Sequence, residues 1–290
     1  MKKIITTLLV ILLGLFVLGG IFIFTYVPQL SKKHGIITSK LYVGDSENQP
    51  LIVAFGGGGG GNDWARDYLK PKRDSLLDKG YAVLAVGYFN SGDAPEYLDR
   101  ISLNAISDSI MKVAKNPKID EAKIVLLGGS KGGELVLNLA SRFDHFKGVI
   151  ALSTSNVSFP ALTWSANTSS WMYNNEEVTY VPAPLKTIGP ALKGDLYAAH
   201  SMMLEDKEAA HKAEIEVENI NGPILVISGK NDDQWPATAM SKKIIERLVE
   251  NDFRYYKEHI ILDGGHIAPL EQFNYVLDFL EEFISNGYIR

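Results

Sequence analysis

The chain has 290 residues, a formal net charge of −5 and a pI near 5.7, with 46% hydrophobic and 22% charged residues. These values suit one globular α/β domain with a short appendage and give no basic footprint for nucleic acid. The absence of cysteine excludes a disulfide scaffold, a thiolate metal site and a cysteine nucleophile, and it suits an oxidising compartment.

Lys2 and Lys3 precede an almost unbroken apolar stretch over residues 4–27, interrupted by Thr6, Thr7 and Thr25. About 24 residues make about 36 Å of helix at 1.5 Å per residue, enough for a hydrocarbon core of about 30 Å. No Ala-x-Ala-like exit follows, so residues 1–30 read as an uncleaved signal anchor, a single transmembrane helix. The alternative is a cleaved signal peptide with an atypical site. The anchor would keep Lys2 and Lys3 cytoplasmic and put the rest of the chain outside, with Lys32 and Lys33 reducing the charge bias.

Residues 31–50 read as a polar linker and a first strand over 36–42. The catalytic domain spans residues 51–290. It opens on the buried strand Leu51-Ile52-Val53-Ala54-Phe55, and a run of six glycines, 56–61, follows. A helix is predicted over 64–79, closed by Gly80, then a strand over 81–86. A helix over 98–115 carries Ile101, Ala105, Ile106, Ile110 and Val113 as its apolar positions, and a strand over 123–127 follows it.

That strand runs into Gly128-Gly129-Ser130-Lys131-Gly132-Gly133-Glu134 and then into apolar residues at helical spacing. Gly-x-Ser-x-Gly between strand and helix is a nucleophile elbow, in which a sharp, strained turn lifts the serine hydroxyl above the sheet. Gly128 and Gly132 leave room where a Cβ would clash. The helix N-terminus behind Ser130 favours the negative charge that develops in acyl transfer.

After a strand over 147–152 the rhythm stops. Residues 153–214 contain Pro160, Pro182, Pro184, Pro190, Trp164 and Trp171, then a helix-like stretch over 196–213. A long insertion at this point is a cap. Phe159, Trp164, Trp171, Met172, Tyr173, Met202 and Met203 either line an acyl pocket or pack the cap onto the core. Strand-helix alternation resumes with a strand over 223–228, a helix over 237–250, a strand over 256–262 and a helix over 269–285. The fold class is therefore α/β, an α/β-hydrolase with a mainly parallel sheet covered on both faces.

A serine hydroxyl needs a base beside it, and in this fold the order along the chain is serine, acid, histidine. His266 lies in Asp263-Gly264-Gly265-His266, between the last strand and the last helix, on the side where open α/β sheets bind ligands. His34, His145, His200, His211 and His259 lack that setting and read as surface or packing residues. Asp232 is the expected acid, three residues past Gly229, with Asp233 the alternative. The oxyanion donors are expected from the backbone N–H of Lys131 and that of Gly57 or Gly58. The glycine run fits a dinucleotide pattern trivially but lacks the Gly-Lys-Ser/Thr ending of a phosphate loop. No histidine and carboxylate cluster has metal-ligand spacing, so neither a metal nor a cofactor is expected.

From residue 51 onward the chain resembles the C-terminal catalytic domain of the acyl-CoA thioester hydrolases and bile acid-CoA:amino acid N-acyltransferases. The matching segments are Gly80-Tyr81-Ala82-Val83-Leu84-Ala85 with Tyr88-Phe89, the Ser130-Lys131-Gly132-Gly133-Glu134 core, residues 217–225, and Ser228-Gly229 with Asp232-Asp233-Gln234-Trp235-Pro236. The resemblance implies a serine nucleophile in thioesterases and a cysteine in the transferases, so Ser130 favours hydrolysis, with Asp232 and His266 as acid and histidine. Family members of known activity carry an N-terminal β-sandwich domain, where this chain has the apolar segment and linker. The expected partners are a small acyl ester or thioester and the membrane. A free coenzyme A would need cations for its phosphates. Lys131 sits beside the nucleophile, but the 153–214 insertion has only Lys186, Lys193, Lys207 and Lys212 and no arginine. Simple activated esters are therefore expected to serve at least as well as acyl-CoA, the alternative being that Lys70, Lys72 or Arg73 supplies the contact. The competing readings are acyl transfer to an amine or alcohol and a non-catalytic binding domain on the same fold.

Overall fold

The computed structural model describes residues 2–285; Met1 of the expected anchor and residues 286–290 of the expected catalytic domain lie outside them. The strands are β1 (Thr38–Tyr42), β2 (Gln49–Phe55), β3 (Ala82–Gly87), β4 (Ile101–Ser102), β5 (Ile119–Gly129), β6 (Val149–Leu152), β7 (Trp171–Tyr173), β8 (Glu176–Glu177), β9 (Ile224–Gly229) and β10 (Lys257–Leu262). The helices are α1 (Lys2–Thr25), α2 (Lys70–Asp78), α3 (Leu103–Ala114), α4 (Lys131–Ala140), α5 (Ile188–Leu192), α6 (Leu196–Met203), α7 (Lys207–Lys212), α8 (Ala237–Glu250), α9 (Ala268–Glu271) and α10 (Asn274–Leu280).

The main sheet has seven strands in the order β1-β3-β2-β5-β6-β9-β10. β1 pairs antiparallel with β3, and the other pairings are parallel. Successive side chains of a strand point to opposite faces. Leu51, Val53 and Phe55 of β2 therefore enter one core while Ile52 and Ala54 enter the other, and Ile124 and Leu126 of β5 part from Val125 and Leu127 in the same way. Ile106 and Ile110 of α3, Leu135 and Leu139 of α4 and Ile244 and Leu248 of α8 cover the first face. Leu76 of α2 and Val276, Phe279 and Leu280 of α10 cover the second. Burial on both faces is why these strands read as continuous apolar runs.

Several elements differ from the sequence expectation for local reasons. The helix expected over 64–79 is two 3-10 turns, Asp63–Ala65 and Asp67–Leu69, and then α2, with Pro71 in its first turn, where a missing N–H is harmless. The helix expected over 98–115 begins at Leu103, because Ile101 and Ser102 are drawn into a strand against Trp171 and Met172. That pairing makes a second sheet, β4-β7-β8, which joins residues ahead of the elbow to the 153–214 insertion. The stretch over 196–213 splits into α6 and α7, each capped by an aspartate, Asp195 and Asp206, that accepts a backbone N–H three residues on. The last helix splits into α9 and α10, the latter continuing in wider turns to Ser285.

The expected anchor forms one helix, α1, whose Ile5, Leu8, Leu9, Leu12 and Leu13 are more than half exposed. Among the described residues, however, no helix is long and apolar enough to cross a membrane. Several side chains of α1 lie outside the described residues. The expectation of a transmembrane span thus meets a helix without a demonstrated span.

Candidate active site

Ser130 stands between β5 and α4 at φ 57°, ψ −124°, a conformation that a residue with a Cβ adopts only under constraint. The constraint is packing. A Cβ on Gly128 would lie 2.1 Å from the Gly132 carbonyl oxygen, and one on Gly132 would lie 2.4 Å from that of Gly56. The two glycines let the elbow close on itself and on the strand beside it. α4 is buried along its whole length, and its first turn begins directly behind Ser130.

Asp232 and His266 meet as expected. His266 Nδ1 donates to Asp232 Oδ2 at 2.7 Å, and that carboxylate is 2% exposed. Asp232 Oδ1 accepts the backbone N–H groups of Gln234 and Trp235 at 2.9 and 3.2 Å, which fixes its orientation. Asp233 is exposed and bonds Gln234 instead. The proton on Nδ1 leaves His266 Nε2 as an acceptor. Ser153, at the end of β6, holds the loop in place: its hydroxyl donates to the His266 carbonyl at 2.7 Å, and its own carbonyl accepts from Trp235 Nε1 at 3.0 Å. Like Ser130 it has a positive φ, 43°. Nothing in the sequence around Ser153 marked it for this role.

The glycine loop abuts the elbow. A Cβ on Gly57 would come within 3.0 Å of Ser130 Cβ, and one on Gly58 within 3.6 Å of Lys131 Cγ. The Tyr88 hydroxyl pins the loop from below, donating to the Gly56 carbonyl at 2.9 Å. Gly57, Gly58, Ser130, Lys131 and His266 all border one cavity.

The Lys131 side chain does something the sequence reading missed. Its ammonium lies 2.8 and 2.9 Å from the two oxygens of Glu134, a residue with no exposed surface. Glu134 also accepts Trp171 Nε1 at 2.7 Å and the Phe159 N–H at 3.1 Å, both from the cap. Burial pushes the Glu134 carboxyl up and the Lys131 ammonium down, and their contact opposes both shifts. Three donor groups make four hydrogen bonds to the carboxylate, which matches an ionised, acceptor-only group. The available signal was a Lys–Glu pair at i, i+3 on a helix otherwise apolar around it. This pairing also withdraws Lys131 as a phosphate contact. Arg73 is buried and donates to the Trp64 carbonyl at 2.6 Å, and Lys70 pairs with Asp74, so these two are engaged elsewhere as well.

Two cavities meet at Ser130 and His266. The smaller, about 180 Å³, runs between Phe55, Trp64, Leu69, Leu152 and Leu270. The larger, about 540 Å³, runs under the cap between Phe159, Leu162, Leu196, Met203 and Trp235. Of the cap residues singled out from sequence, Phe159 and Met203 line it, while Trp171 is buried against Glu134 and Trp164 lies in the outer pocket. His200, expected to be a surface or packing residue, also borders the cavity. It packs against Phe159 and Trp235, and its Nδ1 is 2.9 Å from the Leu196 carbonyl and 3.0 Å from that of Gln234. Burial pushes its pKa below the ordinary histidine range. His259, in contrast, is a packing residue, with Nε2 2.8 Å from Ser228 Oγ.

A family model described as BAAT / Acyl-CoA thioester hydrolase C terminal matches residues 101–271. Acyl-coenzyme A thioesterase 1 of Mus musculus is 31% identical over 201 residues, which are 68% of this chain and 43% of that protein, so the chain spans under half the length of this relative. Among solved structures, uncomplexed Pyrococcus horikoshii acylaminoacyl peptidase matches with a TM-score of 0.61 at 19% identity, over 86% of this chain and 39% of that one. The alpha/beta hydrolase GrgF from Penicillium sp. sh18 matches with a TM-score of 0.53 at 16% identity, over 86% of this chain and 99% of that one. At these identities the two structures speak for the α/β-hydrolase fold alone.

The Glu134 junction yields a stability prediction. Glu134→Gln leaves the Lys131 ammonium buried beside a neutral amide, and breaking one side of a buried pair should destabilise by about 3 kcal/mol or more. Lys131→Met together with Glu134→Gln should recover part of that loss. Urea unfolding followed by circular dichroism checks it; a Glu134→Gln midpoint equal to wild type would show that the pair does not hold the cap.

Proposed function

The chain belongs to the BAAT / acyl-CoA thioester hydrolase C-terminal family, and from that premise we propose that it is a serine hydrolase that cleaves an acyl thioester or carboxylic ester through an acyl-enzyme. The observation that carries this reading is the convergence of the strained Ser130 and the Asp232-bonded His266 on one largely apolar cavity. Ser130 Oγ attacks the acyl carbonyl carbon as His266 Nε2 takes its proton. Asp232 fixes the tautomer and stabilises the imidazolium. The oxyanion is received by the N–H of Lys131 and that of Gly57 or Gly58. His266 then returns the proton to the departing sulfur or oxygen, and water repeats the sequence to release the acid.

The acyl chain is assigned to the larger cavity, whose volume of about 540 Å³ falls within the range of small-molecule sites. The leaving group is the finer question. The mouse relative's name specifies acyl-coenzyme A, but Lys131, a cation bordering the cavity, is committed to Glu134, and the pocket outside it is lined by Glu96, by Asp99 already paired with Arg100, and by no lysine or arginine. Phosphates would find little welcome there, which favours a leaving group without them. Acyl transfer to an amine or alcohol would use the same acyl-enzyme; serine at position 130, where the family's transferases use cysteine, favours water. Retention of serine, histidine and acid in contact argues against a non-catalytic binding domain.

The same reading takes α1 as a membrane anchor, with Lys2 and Lys3 cytoplasmic and the catalytic domain on the outer side. Protease added to intact spheroplasts should then digest the domain, and a fully protected domain would reverse the orientation. For the chemistry, p-nitrophenyl esters and acyl-CoAs of graded chain length provide the assay. Ser130→Ala and Asp232→Asn should each lower kcat on the order of 10⁴-fold or more, and Asp233→Asn should leave it near wild type. Near-normal turnover by Ser130→Ala would sink the mechanism, and a larger loss in Asp233→Asn than in Asp232→Asn would move the acid's role. The p-nitrophenyl esters should be hydrolysed at least as efficiently as the matching acyl-CoAs. A hundredfold preference for acyl-CoA, about 2.7 kcal/mol of transition-state binding, would restore coenzyme A as the leaving group.

A further inference from the structure

The cap presents an apolar rim to solvent. Leu192 is 84% exposed, Leu185 64% and Trp164 59%, and Leu162, Ile188 and Tyr197 of the same insertion are also exposed. The turn at Leu185, α5 and α6 touch one another, and Leu162 shares the outer pocket with Trp164. Soluble proteins rarely cluster exposed apolar side chains in this way without a use. Leu162, Ala191 and Leu196 belong both to this region and to the wall of the larger cavity, so the rim frames the cavity's mouth.

The chain leaving α1 is tied to the same rim. α1 ends at Thr25, and the next residue is already docked: the Tyr26 carbonyl accepts from Asn167 Nδ2 at 3.0 Å, and the Tyr26 ring stacks on Trp164 at 5.0 Å between centroids. Two residues on, the Pro28 carbonyl accepts from Arg100 Nη2 at 2.6 Å, and Arg100 is itself buried and paired with Asp99 at 2.9 Å. No slack separates the apolar helix from the cap. The exposed Leu8, Leu9, Leu12 and Leu13 thus belong to a helix whose C-terminal end is fastened at Trp164, beside the cavity mouth.

We propose that the rim is a lipid-docking surface: α1 and the cap engage one bilayer, and the acyl chain of the substrate passes from the lipid into the cavity without crossing bulk water. A tyrosine and a tryptophan at the junction suit the membrane interface, where amphipathic rings settle at headgroup level. The apolar helix running into the rim argues for lipid as the occupant, since a second copy covering the rim would still leave α1 in water. The delivery of substrate rests on the hydrolase reading above; the docking does not.

Tryptophan fluorescence tests this directly, because Trp64, Trp171 and Trp235 are buried and Trp164 is exposed. The full chain is reconstituted into phosphatidylcholine vesicles with and without a brominated acyl chain. Brominated lipid should quench a component of the emission that is missing in Trp164→Phe, and aqueous iodide should not reach it. Leu185→Glu with Leu192→Glu, two rim positions outside the cavity wall, should abolish that quenching. The same double variant should cut turnover of a long-chain p-nitrophenyl ester held in the vesicles at least tenfold, while turnover of water-soluble p-nitrophenyl acetate stays within twofold. Quenching of Trp164 by iodide but not by brominated lipid would overturn the proposal, as would failure of the chain to float with the vesicles. Shielding from both quenchers would also overturn it, pointing to a second copy if cross-linking gives dimers and to α1 folded over the rim if it does not. Quenching reads docking alone and acetate turnover reads hydrolysis alone, so failure of one reading is not mistaken for failure of the other. Lipid quenching with no turnover of either ester would retire the delivery role.

Discussion

A single carboxylate with no exposed surface organises this site. Glu134 gathers the ammonium of the residue after the proposed nucleophile, an indole N–H and a backbone N–H, and the last two come from the cap. Removing a charge from water is expensive unless every lone pair finds a donor. Each of those donors is therefore held where Glu134 needs it: Lys131 on α4 at the elbow, Trp171 on β7 of the cap and Phe159 at the cavity wall. The requirement reaches back through the chain, since β7 pairs with β4, and β4 shortens the front of α3. One buried charge thus ties the cap to α4 beside Ser130, and apolar packing of Val157, Phe159 and Val181 against Trp235 and Met240 adds to it.

Much of the frame was legible in the sequence because its signals were local. Leu51 to Phe55 and Ile124 to Leu127 read as buried strands, since both faces of a parallel sheet are covered. Gly128, Ser130 and Gly132 read as an elbow because the steric demand behind that pattern lies within five residues. Asp232 and His266 came from chain order plus loop position, and the structure pairs them at 2.7 Å. What stayed hidden depended on distant partners. Glu134 looked like one charge of a helical turn until Trp171, 37 residues away, closed on it. Ser153 looked like any loop serine, yet it bonds a carbonyl 113 residues on. His200 read as a surface or packing residue; it does pack, on Phe159 and Trp235, and only the way α6 folds over Trp235 brings it to the cavity. The three-stranded cap sheet was unreadable because its strands are two or three residues long.

Family and geometry divide the functional argument between them. Membership of the thioester hydrolase and acyltransferase family supports acyl chemistry, while the leaving group depends on what lies outside the elbow. There the chain departs from a phosphate-binding design: its nearby lysine is spent on Glu134, and its outer pocket is lined by the acidic Glu96, by Asp99 already paired with Arg100, and by no lysine or arginine. An apolar mouth tied to an apolar helix suits substrates that arrive from lipid better than substrates carried by a polyanion.

The central claim is that Ser130 is the one covalent nucleophile of a working serine hydrolase. A fluorophosphonate probe followed by peptide mass spectrometry tests it most directly, because phosphonylation requires a serine activated by its histidine. The account predicts a single adduct on the peptide containing Ser130, abolished by heat denaturation before labelling. No adduct, or an adduct on another residue, would contradict it.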